Sequence, residues 1–166
     1  MVSGHNKVQA KKLSLLQYLA YGTGHMLNVL TVAGMWYPYS VAYYEKVQQL
    51  SPDNVGILLF VSQISGAVFT LFIGTWSDNC KCYYGRRKLF NLIGLIATCC
   101  SFFFIWHDCF GCEGDTAGYK LLYYTSFAVV FQFGWVAIQL SHLALLPELT
   151  SEKSEKVGLN SIRWVQ

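Results

Sequence analysis

Charge is scarce in this sequence. Asp, Glu, Lys and Arg together make up 13% of its 166 residues, against about 25% in an ordinary soluble domain. A water-exposed domain of this size needs more charge than that to stay in solution. Catalytic signatures are also missing. There is no nucleophile elbow, no HExxH helix, no phosphate-cradling glycine loop and no pair of carboxylates inside an apolar run, so the chain does not read as an enzyme. No basic cluster stands in a polar setting, which argues against nucleic acid as a partner. Val2 occupies the place where myristoylation needs Gly. The first apolar stretch is too long for a signal-peptide core and has no convincing small-residue cleavage site.

What the sequence does have is long uncharged runs. No Asp, Glu, Lys or Arg occurs between Lys12 and Glu45, from Val55 to Ser77, from Leu89 to Trp106, or from Leu121 to Leu146. About 20 apolar residues cross a bilayer as a helix, so these are four membrane spans. Four such runs with short polar connections exceed what the core of a 166-residue soluble bundle could cover. Residues 1–12 form a polar tail, and residues 13–166 hold helices one to four and, from near Leu159, the start of a fifth. Ser51-Pro52-Asp53 is a start signal for the second span: a cap residue, a proline in the first turn, then an acid. Pro38 is placed to kink or end the first span, and Pro147 to stop the fourth.

Basic residues set the orientation. Lys7, Lys11 and Lys12 precede the first span. Lys81, Arg86, Arg87 and Lys88 lie between the second and third, and Lys153, Lys156 and Arg163 follow the fourth. These ten fall on one side, and only Lys46 and Lys120 fall on the other, so the N-terminus belongs in the cytoplasm. Cys80 and Cys82 are then cytoplasmic, and Cys99 and Cys100 lie in the third span. Cys109 and Cys112 stand in a far-side loop, as a candidate luminal disulfide or as free thiols. A metal site would want a second pair or more histidines than His107, and none is assigned.

Two stretches carry chemistry. Between the second and third spans the chain reads Gly74-Thr75-Trp76-Ser77-Asp78, then Gly85-Arg86-Arg87-Lys88. Gly74 would let a neighbouring helix come close, Asp78 can pair with a base or a helix N-terminus, and Gly85 permits the reversal. In the fourth span Gln132, Trp135, Gln139 and His142 follow spacings of three, four and three and share one helix face. Polar groups in hydrocarbon need partners, so that face turns inward. Tyr21, His25 and Asn28 form a similar face in the first span, and Gln63, Gly66 and Thr70 one in the second. His25, Asn28, Gln63, Gln132, Trp135, Gln139 and His142 are the candidate lining of a solute path, with interhelical hydrogen bonding the plainer role for the amides. The aromatics at Phe102 to Phe104 and Tyr123 to Tyr124 read as lipid-facing bulk or interface anchors.

The loop after the second span resembles the signature loop of the major facilitator superfamily, with a longer gap between Asp78 and Gly85 than the common form. The ordered set Tyr21-Gly22-Thr23-Gly24-His25-Met26-Leu27-Asn28, Cys109-Phe110-Gly111-Cys112, Phe131-Gln132-Phe133-Gly134-Trp135, Gln139-Leu140-Ser141-His142 and Pro147-Glu148-Leu149 narrows the likeness. It resembles the glycoside-pentoside-hexuronide:cation symporter family, and most of all its animal branch. The resemblance implies an all-α, twelve-helix carrier in two halves with alternating access. It also implies a conformational latch at Gly74, Asp78, Gly85, Arg86, Arg87, Glu148 and Arg163, and no cofactor beyond an H+ or Na+ coupling ion. The expected partners are the lipid bilayer, a small polar solute and the remaining helices of the carrier. The animal branch implies cysteine import into a lysosome or melanosome.

Two departures bear on coupling. Relatives tend to carry acids where Val29 and Gly66 stand here, and membrane carboxylates are the usual cation carriers. Proton movement would then fall to His25 or His142. Four and a fraction spans are less than one half of the fold, so the chain reads as a fragment, a truncated product or an incomplete gene model. The alternatives are a sugar:cation symporter and a truncated, non-transporting regulatory membrane protein. The orientation is directly checkable. A glycan acceptor inserted beside Arg86 is expected to stay unmodified, while one inserted beside Lys120 gains a glycan, read as a mobility shift removed by a glycosidase.

Overall fold

Why these runs become helices follows from the solvent. Hydrocarbon offers no hydrogen bonds, so a spanning backbone must satisfy its own N–H and C=O groups, and a helix does this within one segment. The computed structural model describes residues 28–79, 86–112 and 117–149, together with Met26, Val157 and Ser161. Every regular element among them is helical. The first run, α1, covers 30–47 in three consecutive pieces: wide π-type turns over Leu30–Trp36, α-helix over Tyr37–Ala42 and π-type turns again over Tyr43–Val47. It is followed by α2 (Pro52–Asn79), α3 (Arg86–Ile105) and α4 (Ala117–Leu149). Three helices are long and apolar enough to cross a membrane, over Pro52–Trp76, Lys88–Ile105 and Ala117–Ala144. These match the second, third and fourth runs read from the sequence. The beginning of the first run lies outside the described residues.

The proline expectations need correction. Pro38 does not end α1; it sits in the first turn of Tyr37–Ala42, directly after the widened turns. Proline offers no N–H to the carbonyl four residues back, and its ring crowds that carbonyl. Wide turns shift the carbonyl out of the usual register and let the helix continue. Nor does Pro147 stop α4, which continues to Leu149. So near a helix end the missing donor removes a single bond from a turn that already holds unpaired carbonyls.

The α1–α2 connection is built as the start signal implies. Gln49 takes a left-handed backbone with φ of 57°, and the amide of Leu50 donates to the carbonyl of Tyr44 at 3.0 Å, closing α1. Ser51 then caps α2: its Oγ accepts from the amide of Asn54 at 3.4 Å, with Pro52 opening the helix. Within the helices, hydroxyls return to their own backbone, as the lack of water demands. Ser101 Oγ donates to the Ala97 carbonyl at 2.6 Å, and Thr70 Oγ1 to the Gly66 carbonyl at 2.8 Å.

The central element is α4. Its most extensive interface is with α3 and its next with α2, while α2 and α3 barely meet. The α3–α4 contact is backbone on backbone. A Cβ placed on Gly134 would lie 2.5 Å from Thr98 Oγ1, 2.7 Å from Thr98 N and 2.8 Å from the Gly94 carbonyl. One placed on Gly94 would lie 2.8 Å from the Gly134 carbonyl and 2.9 Å from Ala137 Cβ. Small residues let membrane helices approach this closely, where packing must replace the hydrophobic effect. Side-chain clusters flank the contact. Trp36, Tyr44, Leu58, Ile105, Tyr124 and Phe131 fill one, and Ile73, Val136 and Ala137 fill the other. Large side chains also point outward: Phe60, Leu71, Phe72 and Trp76 on α2 are all more than half exposed, a surface suited to acyl chains rather than water.

That packing overturns the reading of the aromatics as lipid-facing. Phe103 is exposed, but Tyr124 is fully buried and Phe102 packs against the core. Tyr124 looks inward because its ring meets Tyr44 at 5.2 Å and its hydroxyl donates to the His107 carbonyl at 3.1 Å.

In an ordinary helix Gly→Ala gains about 0.5–1 kcal/mol. At Gly134 the clash is with backbone, and overpacking at about 1–3 kcal/mol dominates. Gly134→Ala is therefore expected to lower the detergent-solubilised melting temperature, whereas Gly118→Ala, which meets nothing within 4 Å, leaves it unchanged or raises it.

Candidate functional site

The two faces of α4 divide the labour. Gly134, Ala137 and Ile138 meet α3, so the face carrying Gln132, Trp135, Gln139 and His142 is left for α1 and α2. The decisive contact is between α1 and α4: Asn28 Nδ2 donates to Gln139 Oε1 at 2.6 Å, joining residues 111 positions apart. Asn28 is almost fully buried, and its Oδ1 has no hydrogen-bond partner among the described residues. An acceptor left over in a buried, apolar setting costs about 1–3 kcal/mol.

Two turns away, about 10 Å along the helix, Gln132 is buried and its Oε1 lies 3.3 Å from where a Cβ on Gly66 would sit. The space beside Gly66 is thus occupied by a neighbouring amide. Trp135 lies between the levels of Gln132 and Gln139, half-buried and packed against both core clusters. His142 is buried at the far end of the same face.

Of the remaining path candidates, Gln63 is exposed and lies off the buried stripe of Val55, Leu58, Ser62, Gly66 and Ile73 on α2, so it does not join the Asn28–Gln139 group. His25 falls outside the described residues. The latch residues are placed by backbone only. Asp78 lies in the last turn of α2, Arg86 and Arg87 open α3, and Glu148 is in the last turn of α4. Their side chains, with Gly85 and Arg163 entirely, are outside the described set. At Gly74 a Cβ would meet nothing within 4 Å among the described residues, where the tight crossing is at Gly94 and Gly134.

A second polar group lies at the opposite end from the basic loop; sequence reasoning offered its cysteine pair as a candidate disulfide and missed the rest. Gln48 Nε2 donates to Tyr43 Oη at 2.9 Å and to Asp108 Oδ1 at 3.0 Å. The Tyr124 hydroxyl holds the His107 carbonyl, and Cys109 is joined to Cys112 as a disulfide, Cα to Cα 5.6 Å. Gln48 and Asp108 are 60 residues apart, and no local pattern links them.

These helices and motifs have clear relatives. Residues 18–166 match the family described as MFS/sugar transport protein. The chain belongs to that family. It is 40% identical over 158 residues to human major facilitator superfamily domain-containing protein 12, covering 93% of this chain and 33% of that protein. The mouse protein of the same name is 40% identical over 156 residues, with the same coverage. An uncharacterized symporter of Synechocystis is 29% identical over 161 residues, covering 95% of this chain and 29% of the symporter. The chain thus spans about a third of the length of the curated relatives it matches. No solved structure matches it. Membership makes the chain a multi-pass membrane protein of major facilitator architecture. Both Asn28 and Gln139 fall inside the matched segment.

The pair can be measured as a pair. Asn28→Leu and Gln139→Leu are each expected to destabilise the chain. Their double variant is expected to recover a coupling of about 0.6–1.7 kcal/mol, the range for hydrogen bonds between membrane helices, in a double-mutant cycle of thermal unfolding in detergent.

Proposed function

We propose that this chain forms part of a secondary carrier that moves a small polar solute across a membrane, with Asn28 and Gln139 as the first polar contact on its path. The observation that supports this most is the leftover buried acceptor on Asn28 beside the Gln139 amide. A solute hydroxyl or amine could donate there, and an amide pair accepts such a group without itself carrying charge. Gln132 and His142 extend the polar stripe along α4 in both directions. The ten basic residues support a cytoplasmic N-terminus, and on this reading the 74–88 loop acts from that side as the conformational latch.

The finer reading is cysteine import into a lysosome or melanosome, supported by the resemblance to the animal branch. A sugar:cation symporter is the competing cargo class, supported by the family's description and by the Synechocystis symporter. Gly66 favours a further alternative. With Gln132 against Gly66, where relatives tend to hold an acid, a coupling ion loses a ligand. H+ coupling through His142, uncoupled movement, and a non-transporting partner of a complete carrier each remain consistent with that loss.

The test places this segment in a carrier of full family length, reconstituted in vesicles. Labelled cysteine uptake is expected, competed by unlabelled cysteine and not by hexoses. Gln139→Leu is expected to cut uptake about tenfold, the loss of roughly one hydrogen bond at 1.4 kcal/mol, and His142→Ala to reduce it too. Uptake of sugar alone moves the cargo to the rival class; no uptake of either removes the carrier assignment; unchanged uptake in His142→Ala removes that residue from the mechanism.

A further inference from the structure

The polar group at the far end of the bundle has a chemistry of its own. Three ties hold the segment that follows α3. Asp108 accepts from Gln48 at the end of α1, the His107 carbonyl accepts from Tyr124 on α4, and the neighbour of Asp108, Cys109, is bonded to Cys112 through a turn in which Gly111 has φ of +77°. Gln48 is buried while Asp108 is exposed, and their part-buried contact is charge-assisted. The disulfide closes a four-residue ring next to Asp108 and limits where that carboxylate can go. The sulfurs are not sealed away. A cleft of about 510 Å3 is lined by Gln48, His107, Asp108, Lys120 and the two cysteines, and it is wide enough for a small molecule. Lys120 puts a cation on the same wall, which favours an approaching thiolate and the thiolate that leaves.

We propose that Cys109–Cys112 is a thiol-exchange site whose opening releases the Gln48–Asp108 clamp and frees the end of α1. The ligand class is a small-molecule thiol. Its thiolate attacks one sulfur, the Cys109–Cys112 bond breaks, and a mixed disulfide forms with one cysteine while the other leaves as a thiolate. A second thiolate attacks the small molecule's sulfur in that mixed disulfide, and the remaining cysteine leaves as a thiolate. The small molecule ends as its own disulfide, and the two electrons and two protons end on Cys109 and Cys112 as thiols. The clamp joins the end of α1 to the segment after α3, beside the Tyr43–Trp106 ring contact at 4.9 Å, so its release is felt at the end of α1 first. This coupling is independent of which solute crosses.

The experiment uses the purified chain in detergent, with reduced glutathione as the probe and oxidised glutathione as the control. Peptide mapping after alkylation reports each cysteine, and hydrogen exchange reports residues 43–50. Reduction of Cys109 and Cys112 is expected to speed exchange across 43–50 about tenfold, the loss of one hydrogen bond to a carboxylate, while the 94–101 segment of α3 stays protected. Cys109→Ser with Cys112→Ser should exchange fast with or without glutathione. Gln48→Leu should do the same with its disulfide intact, which separates loss of the clamp from general unfolding. The proposal is overturned if both cysteines alkylate before any thiol is added, if glutathione leaves them bonded, or if they become reduced and exchange at 43–50 does not change.

Discussion

At Gly94 and Gly134 two helix backbones meet with no side chain between them, and the placement of every other group on α4 depends on that contact. Hydrophobic burial offers little to a helix pair already surrounded by acyl chains. Close packing and short-range dispersion must supply the attraction, and both fall off steeply with distance. Removing two Cβ atoms brings α3 and α4 to the distance where these forces count. Once α3 claims the Gly134–Ala137–Ile138 face, the remaining side of α4 can only turn toward α1 and α2. That is how Gln132, Trp135, Gln139 and His142 come to face the other helices.

The polar groups divide into two kinds. Hydroxyls such as Ser101 and Thr70 are satisfied by their own helix and ask nothing of a neighbour. Amides cannot fold back so readily and must reach across. The Asn28–Gln139 and Gln48–Asp108 bonds are the long-range outcomes, one buried within the bundle and one at its far end. The first leaves an acceptor over. The second is a junction that fixes the end of α1.

Much of this was legible beforehand. The uncharged runs located the spans within a few residues, because length and lack of charge are requirements of the bilayer that no tertiary contact can relax. The Ser51-Pro52 start signal also held, since a cap acts within its own first turn. The prolines at 38 and 147 were misread. Whether a helix continues past a proline depends on turn width and on how near the end lies, and composition shows neither. Tyr124 was misread because an aromatic suits lipid and core equally well; only its neighbours Tyr44 and the His107 carbonyl decide. Gly94 and Gly134 face each other at the tight crossing, a pairing that spacing within one helix does not reveal.

The sequence by itself determined the membrane setting, the helical class and the common face of Gln132, Gln139 and His142. All of these follow from period, run length and charge, quantities local to one segment. Only the tertiary structure decided that Gln139 meets Asn28, that Gln132 packs on Gly66 and that Gln48 holds Asp108. Each of those contacts joins helices far apart in the chain, and their distances are set by which small residues permit a crossing, a property of two segments together.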